Sequence, residues 1–240
     1  MTDNKARLVT PIKRVVITGA AGNLGTAAVK KFLDEGYAVI GTAGNCSNLE
    51  FALSNRNFEF HSVNLTNENE AADFVNAAIA RHVKIDAALM LVGGFAMGNT
   101  ETTSGADIQE QFSLNFETAY FVARPLLKHF QQTGYGRLIF ISARPALNAA
   151  QGKDLVAYSL TKSLLFTLAE FINEENKGKN ITASVVVPST IDTAVNRKYM
   201  PDVDYKNWVQ PEQLADVMEF IVSDKGSALR ETVFKVYNNA

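Results

Sequence analysis

The chain has 240 residues, 47% hydrophobic and 20% charged, with a formal net charge of −2. That length buries a substantial core, and the near-neutral balance excludes a nucleic-acid footprint or a polybasic membrane surface. One cysteine, Cys46, excludes an internal disulfide and fits a reducing compartment. His61, His82 and His129 lack metal-ligand spacing, so no metal is expected. Residues 1–11 are polar without an apolar signal core, and no run approaches about 18 apolar residues. The expectation is a cytoplasmic protein with no membrane partner, a single domain over residues 1–240 because no proline- or glycine-rich linker divides it.

Short β-rich runs alternate with helical patterns. A strand is expected at 14–18, a helix at 24–35 ending on Gly36, and strands at 37–42 and 58–63. Helical periodicity covers 68–82, followed by a strand at 87–92. One long helix is expected from 108 to 131, then a strand at 137–141 and a helix over 155–176. A strand at 181–187, a helix at 211–222 and a last strand at 232–237 complete the pattern. Alternation of this kind predicts an α/β, Rossmann-type, doubly wound parallel sheet with helices on both faces. Ligands of such sheets bind beyond the carboxyl ends of the strands. Gly25, Asn115, Tyr158 and Pro188 fall at or near that edge.

Gly19-x-x-Gly22-x-x-Gly25 follows the first strand and opens the first helix. Glycine lets the backbone approach a pyrophosphate, and the helix N-terminus supplies N–H donors, so this context predicts dinucleotide binding. An NAD site would end the second strand on a carboxylate for the ribose 2′-hydroxyl. Here the strand ends Gly41-Thr-Ala-Gly-Asn45, which leans the cofactor toward NADP over NAD, with Thr42 and Asn45 as polar contacts. Tyr158 and Lys162 lie four apart on one helix face. A nearby cation favours phenolate, so the pair predicts a tyrosine pKa below its free value of about 10 and a proton carrier near neutral pH.

Thr18-Gly-x-x-Gly-x-x-Gly25, Asn115, Tyr158-x-x-x-Lys162 and Pro188-Ser-Thr-Ile-Asp-Thr193 together resemble the short-chain dehydrogenase/reductase family, over essentially the whole chain. The resemblance implies a nicotinamide cofactor, Tyr158 as catalytic acid or base, Lys162 on the nicotinamide ribose, and Asn115 behind the lysine. It also implies cofactor contacts from Gly19, Gly22, Asn23, Leu24, Gly25, Thr42, Asn64, Leu65, Gly93, Gly94, Pro188, Thr190 and Thr193.

Departures from the common family pattern narrow the branch. Leu91-Val-Gly-Gly-Phe95 replaces the usual Asn-Ala-Gly. Ala143 stands where a serine normally orients the substrate oxygen, and Ser142 is one position off. Losing one oxyanion donor costs about 2.7–4 kcal/mol, which argues against ordinary ketone chemistry. The stretch from Pro188 to Trp208 is similar to that of dihydropteridine reductases, which also lack the serine. Animal members of that branch keep the acidic residue after the second strand, and this chain does not.

The resulting expectation is an NAD(P)-dependent reductase whose small-molecule substrate is a quinonoid dihydropteridine. The alternatives are a carbonyl reductase similar to 3-oxoacyl-acyl-carrier-protein reductases and a non-catalytic dinucleotide sensor. Residues 189–210 read as a substrate lid. Phe95, Ala143, Arg144 and Arg197 are substrate-side candidates, Arg197 having an acid in the fold as its other reading. Tyr205 and Trp208 read as lid packing. The apolar faces of 108–131 and of the Tyr158 helix exceed one sheet's need and predict a homodimer or homotetramer.

Overall fold

A computed structural model describes residues 12–239, so the polar stretch 1–11 lies outside the described residues. Val15, Val16 and Ile17 are apolar and β-branched on both faces of β1 (Arg14–Thr18), and all three are fully buried. A strand of that composition belongs in the middle of a parallel sheet covered on both sides. The chain continues through α1 (Asn23–Asp34), β2 (Ala38–Ala43), α2 (Glu50–Leu53), β3 (Phe58–Ser62), α3 (Glu68–His82) and β4 (Ala87–Met90). Then come α4 (Gly105–Phe112), a π-helical turn (Ser113–Glu117), α5 (Thr118–Thr133), β5 (Tyr135–Ile141), α6 (Ala149–Gly152) and α7 (Val156–Glu175). β6 (Asn180–Pro188), α8 (Ala194–Tyr199), α9 (Pro211–Val222) and β7 (Val233–Val236) follow.

All seven strands form one parallel sheet in the order β3-β2-β1-β4-β5-β6-β7. Phe74, Leu126, Phe130 and Leu165 of α3, α5 and α7 fill the core on one face. Phe32, Leu214 and Met218 of α1 and α9 fill it on the other. The order reverses at β1, which has β2 on one side and β4 on the other, and this opens a crevice at the carboxyl ends.

Three local differences from the sequence reading matter for the site. The expected long helix 108–131 is three pieces. α4 starts at Gly105 because Ser104 and Asp107 form a reciprocal capping box, and a π turn separates it from α5. β4 ends at Met90 rather than 92, because Thr18 Oγ1 accepts the Leu91 N–H at 3.0 Å and takes that donor out of the ladder. The short helices α2, α6 and α8 carry too few turns to show a periodicity. Among the described residues, no helix is long and apolar enough to cross a membrane.

His129 on α5 is buried, and its Nε2 accepts the Ile85 N–H just before β4 at 3.1 Å. Burial pushes the imidazole pKa below its ordinary 6.5, so the folded state holds it neutral. Below about pH 6.5 the unfolded chain binds a proton that the folded chain refuses, and stability falls with pH toward the folded-state pKa. Urea unfolding at pH 7.5 and pH 5 should show a loss that is smaller in His129→Gln, which keeps an acceptor and does not titrate.

Candidate active site

The glycine turn is built by exclusion. Gly19 has φ +64°, and a Cβ there would lie 3.2 Å from the Leu91 carbonyl carbon and the Val92 nitrogen. A Cβ on Gly25 would sit 2.0 Å from the Gly19 oxygen, so only glycine lets α1 start this close to β1. Gly22 stands at the N-cap of α1 and has no side chain to accept from the first N–H groups of the helix. Those donors and the positive end of the helix dipole therefore face the turn. Asn23 and Leu24 form the first turn of α1. This cradle fits a dinucleotide pyrophosphate.

A cleft of about 430 Å³ opens beside it, lined by Gly19, Gly44, Asn64, Leu65, Val92 and Leu114. Asn64 is fixed there by its own turn, its Oδ1 accepting from the Thr66 N–H at 3.2 Å and the Thr66 hydroxyl at 2.7 Å. Thr42 behaves differently from expectation. It is fully buried and its hydroxyl lacks a hydrogen-bond partner among the described residues, so it lies beneath this surface rather than on it. Asn45 uses its Oδ1 on Ser47. A second cleft, of about 490 Å³, is lined by Lys179, Ile181 and Thr182 at the start of β6 and by Arg230 and Thr232 ahead of β7. It lies at the opposite edge of the sheet from the chemistry.

The lysine forms the centre of the site. Lys162 is buried on α7, and its Nζ donates to the Ile141 carbonyl at the end of β5 at 2.9 Å. In return, the Ser142 hydroxyl donates to the Lys162 carbonyl at 2.9 Å. Burial pulls the ammonium down to about 8. Asn115, in the π turn, accepts from the Gly94 N–H at 3.0 Å and donates to Gln111 Oε1 at 3.0 Å and Thr161 Oγ1 at 3.3 Å. Gly93 lies between them: a Cβ there would come within 2.8 Å of both Asn115 Oδ1 and Lys162 Nζ. Thr18 was read only as the head of the glycine motif, and Gln111 and Thr161 were missed by the sequence reading. Gln111 and Asn115 stand four apart, and that spacing was the available signal.

Tyr158 lies one turn before Lys162, with the Phe95 ring edge-on at 5.2 Å. Its phenol moves opposite to the sequence expectation. Desolvation of the phenolate in this half-buried place pushes it up to about 12, and the lysine's ammonium is held on the Ile141 carbonyl. Ala143 is buried at the end of β5 and presents a methyl where a hydroxyl was sought. The Ser142 hydroxyl is spent on the lysine carbonyl.

Two substrate-side candidates are engaged elsewhere. Arg144 stacks over the Tyr237 ring at 4.8 Å. Arg197 forms a two-pronged ion pair with Asp192, both contacts 2.6 Å, which is the structural alternative weighed from the sequence. That pair, with Gln210, holds the Asp192 carboxyl down to about 2. Pro188 ends β6, Thr190 accepts the Val209 N–H at 2.9 Å, and the Thr193 hydroxyl caps α8 through the Asn196 N–H at 3.1 Å. Trp208 is buried against Tyr205, ring centroids 4.8 Å apart.

Gly93→Ala should displace the Asn115 amide and the Lys162 ammonium together. The expected outcome is a fall in kcat/KM of about 10²-fold or more, the loss that follows misplacement of reacting groups by about an ångström. Steady-state kinetics beside an unfolding curve separates this from a loss of fold.

The short chain dehydrogenase family model matches residues 13–204. The chain is 24% identical over 207 residues to a dihydropteridine reductase of Dictyostelium discoideum, covering 85% of each chain. It is 25% identical over 225 residues to a 3-oxoacyl-[acyl-carrier-protein] reductase of Buchnera aphidicola, covering 88% of this chain and 90% of that one. Among solved structures, ElxO with NADP bound superposes with TM-score 0.83 at 19% identity, and 4-hydroxyisoleucine dehydrogenase complexed with NADH with TM-score 0.85 at 19%. Each covers 94% of this chain and 97% of its own. With the glycine cradle, the buried lysine and the family match along four-fifths of its length, the chain belongs to the short-chain dehydrogenase/reductase family and is an NAD(P)-dependent oxidoreductase acting on a small molecule.

Proposed function

We propose that this oxidoreductase reduces a conjugated heterocycle, a quinonoid dihydropteridine to its tetrahydro form. The observation that carries the reading is the methyl of Ala143 at the end of β5, with the adjacent Ser142 hydroxyl committed to Lys162. A ketone's oxygen gathers the charge of hydride addition on one atom and needs a fixed donor there. A conjugated ring spreads that charge and needs less. Phe95, 63% exposed and touching Tyr158, offers a flat apolar surface beside the reacting edge. The similarity to a dihydropteridine reductase supports the same branch.

In this reading the dinucleotide, when bound, supplies the hydride. Tyr158 supplies the proton, and a phenol held near 12 is protonated at neutral pH, as an acid in the reductive direction must be. Lys162 steadies the ribose and the phenol, and Asn115 fixes the lysine's surroundings. The Gly19–Gly25 turn, Asn23 and Leu24 hold the pyrophosphate. Asn64 and Leu65 flank the adenine, while Gly93, Gly94, Pro188, Thr190 and Thr193 line the nicotinamide side. The lean to NADP rests on the absence of a carboxylate after β2, and Thr42, being buried, supports the ribose pocket from behind.

One domain over residues 1–240 with a cover at 189–210 fits this assignment. Exposed Ile108, Leu160, Leu164 and Phe171 on α4 and α7 suit a homodimer or homotetramer interface. The single cysteine suits the cytoplasm. The second reading, a carbonyl reductase acting on an acyl thioester, is favoured by the similarity to 3-oxoacyl-[acyl-carrier-protein] reductase and requires another donor in place of Ala143. A sensor without turnover is disfavoured by the retained Tyr158 and Lys162.

Initial rates of NADPH and NADH oxidation with fresh quinonoid dihydropterin, and separately with an acetoacetyl thioester, test the assignment. Pterin turnover is expected, at least as efficient with NADPH, and thioester turnover alone would overturn it. Tyr158→Phe should lower kcat about 10²–10⁴-fold, the usual weight of a positioned acid, with dinucleotide affinity retained. The pH profile of pterin reduction should be flat near neutrality and fall above about 8, where Lys162 loses its charge.

A further inference from the structure

Residues 189–210 are anchored to the body at their ends, by Ser189 on Tyr237 and by Asn238 on Trp208, and between those anchors they are joined to one another. Ile191 and Val209 form an isolated parallel bridge, with the Val209 N–H on the Thr190 carbonyl at 2.9 Å and the Asp192 N–H on the Val209 carbonyl at 2.8 Å. Asp192 stands where the two ends meet. Its carboxylate accepts Arg197 Nε at 2.6 Å, Arg197 Nη2 at 2.6 Å and Gln210 Nε2 at 2.9 Å, so one side chain joins the entry, the helix and the exit of the loop. The Arg197 guanidinium then lies over the Tyr205 ring at 4.9 Å, and Tyr205 packs on Trp208. The Tyr205 hydroxyl donates to the Pro201 carbonyl at 3.1 Å, and Asn196 Nδ2 donates to the Ile191 carbonyl at 2.8 Å. A planar fork on a carboxylate with an aromatic beneath it is an arrangement that lysine does not reproduce. The ends of the segment are together, and Arg197, Tyr205 and Trp208 pack on one another between them.

The geometry points to Asp192 and Arg197 as a positioning pair that holds 193–208 as a pre-folded cover at the reaction edge, with Arg197 kept off the substrate. The inference rests on the reading of 189–210 as the substrate-side lid. Its consequence is that α8 presents Val195 and Tyr199, which are 53% and 79% exposed and one turn apart, while its arginine is withdrawn into the loop. Binding then selects an already ordered cover and pays little to order it, which lowers the cost of association. Arg197 touches no reacting atom in this account. It acts through the loop.

The test compares Asp192→Asn, Arg197→Met and Arg197→Lys with the parent protein. Chymotrypsin cleavage after Tyr199 or Tyr205, read on the protein alone, should accelerate about tenfold in the first two, the scale of one hydrogen bond to a charged group. Arg197→Lys, keeping charge without the fork, should fall between. With the substrate that the parent turns over, KM should rise about tenfold and kcat stay within about threefold, as expected when only positioning is lost. The urea midpoint should not move. Unchanged cleavage in both disruptive variants would overturn the inference, as would a loss confined to kcat, which would put Arg197 at the reacting atoms. A midpoint that falls in step with the cleavage gain would also overturn it, making the pair a general structural tie. Failure of the pterin assignment is distinguishable, since it appears as missing pterin turnover in the parent while the cleavage result stands.

Discussion

The site depends on a reciprocal clasp between α7 and the end of β5. Lys162 Nζ donates to the Ile141 carbonyl, and Ser142 Oγ donates to the Lys162 carbonyl, each at 2.9 Å. An ammonium in a protein interior is costly unless it is hydrogen-bonded, and here the cost is met by the carbonyl of the last residue of β5. Because the two bonds run in opposite directions, they fix both the depth of the helix on the sheet and its rotation. Tyr158, one turn back, inherits that placement. The same demand explains Gly93, where a side chain would meet Lys162 and Asn115; at Gly94 it would meet the Leu114 side chain, 2.8 Å from a Cβ.

The π turn at Ser113–Glu117 solves a second geometric problem. An α-helix continuous from α4 through α5 would rotate each residue by a constant step, and the extra residue in the turn changes which face Asn115 presents. There the asparagine uses both ends of its amide, accepting from Gly94 and donating to Gln111 and Thr161. Phe112, Phe116 and Tyr120 stack across the irregularity with centroids 5.1 and 5.9 Å apart. Such pairs are worth about 0.5–1.5 kcal/mol each beyond their buried area, enough to offset a weakened turn.

Much of this was legible in the chain because parallel sheets write themselves as apolar runs between amphipathic helices. The parallel sheet with helices on both faces follows from that alternation, and the glycine turn marks its carboxyl edge; the order β3-β2-β1-β4-β5-β6-β7 is read only from the structure. The rest depends on contacts that no local spacing encodes. Arg197 finds Asp192 five positions back, outside the three- and four-residue neighbours of a helix, because Asp192 precedes the helix cap. Arg144 finds the ring of Tyr237 from a distant part of the chain. The four-residue step from Tyr158 to Lys162 placed the two on one face correctly, but the step carries no information on burial. Burial decided the sign of the phenol's shift. The π turn was invisible for a related reason: an apolar face tolerates one extra residue without losing its broad period.

The placement of β1 in the interior of the sheet, between β2 and β4, has a bearing on how the molecule is made. Its second neighbour, β4, begins at Ala87, about 70 residues after β1 ends at Thr18. At synthesis rates of about 5–20 residues per second, a strand with a Val-Val-Ile centre therefore waits several seconds with one ladder edge unpaired. Pairing to β2 alone leaves that edge as a template for another nascent chain. The topology that opens the dinucleotide crevice thus also creates the interval in which this protein most needs to be kept apart from its own copies.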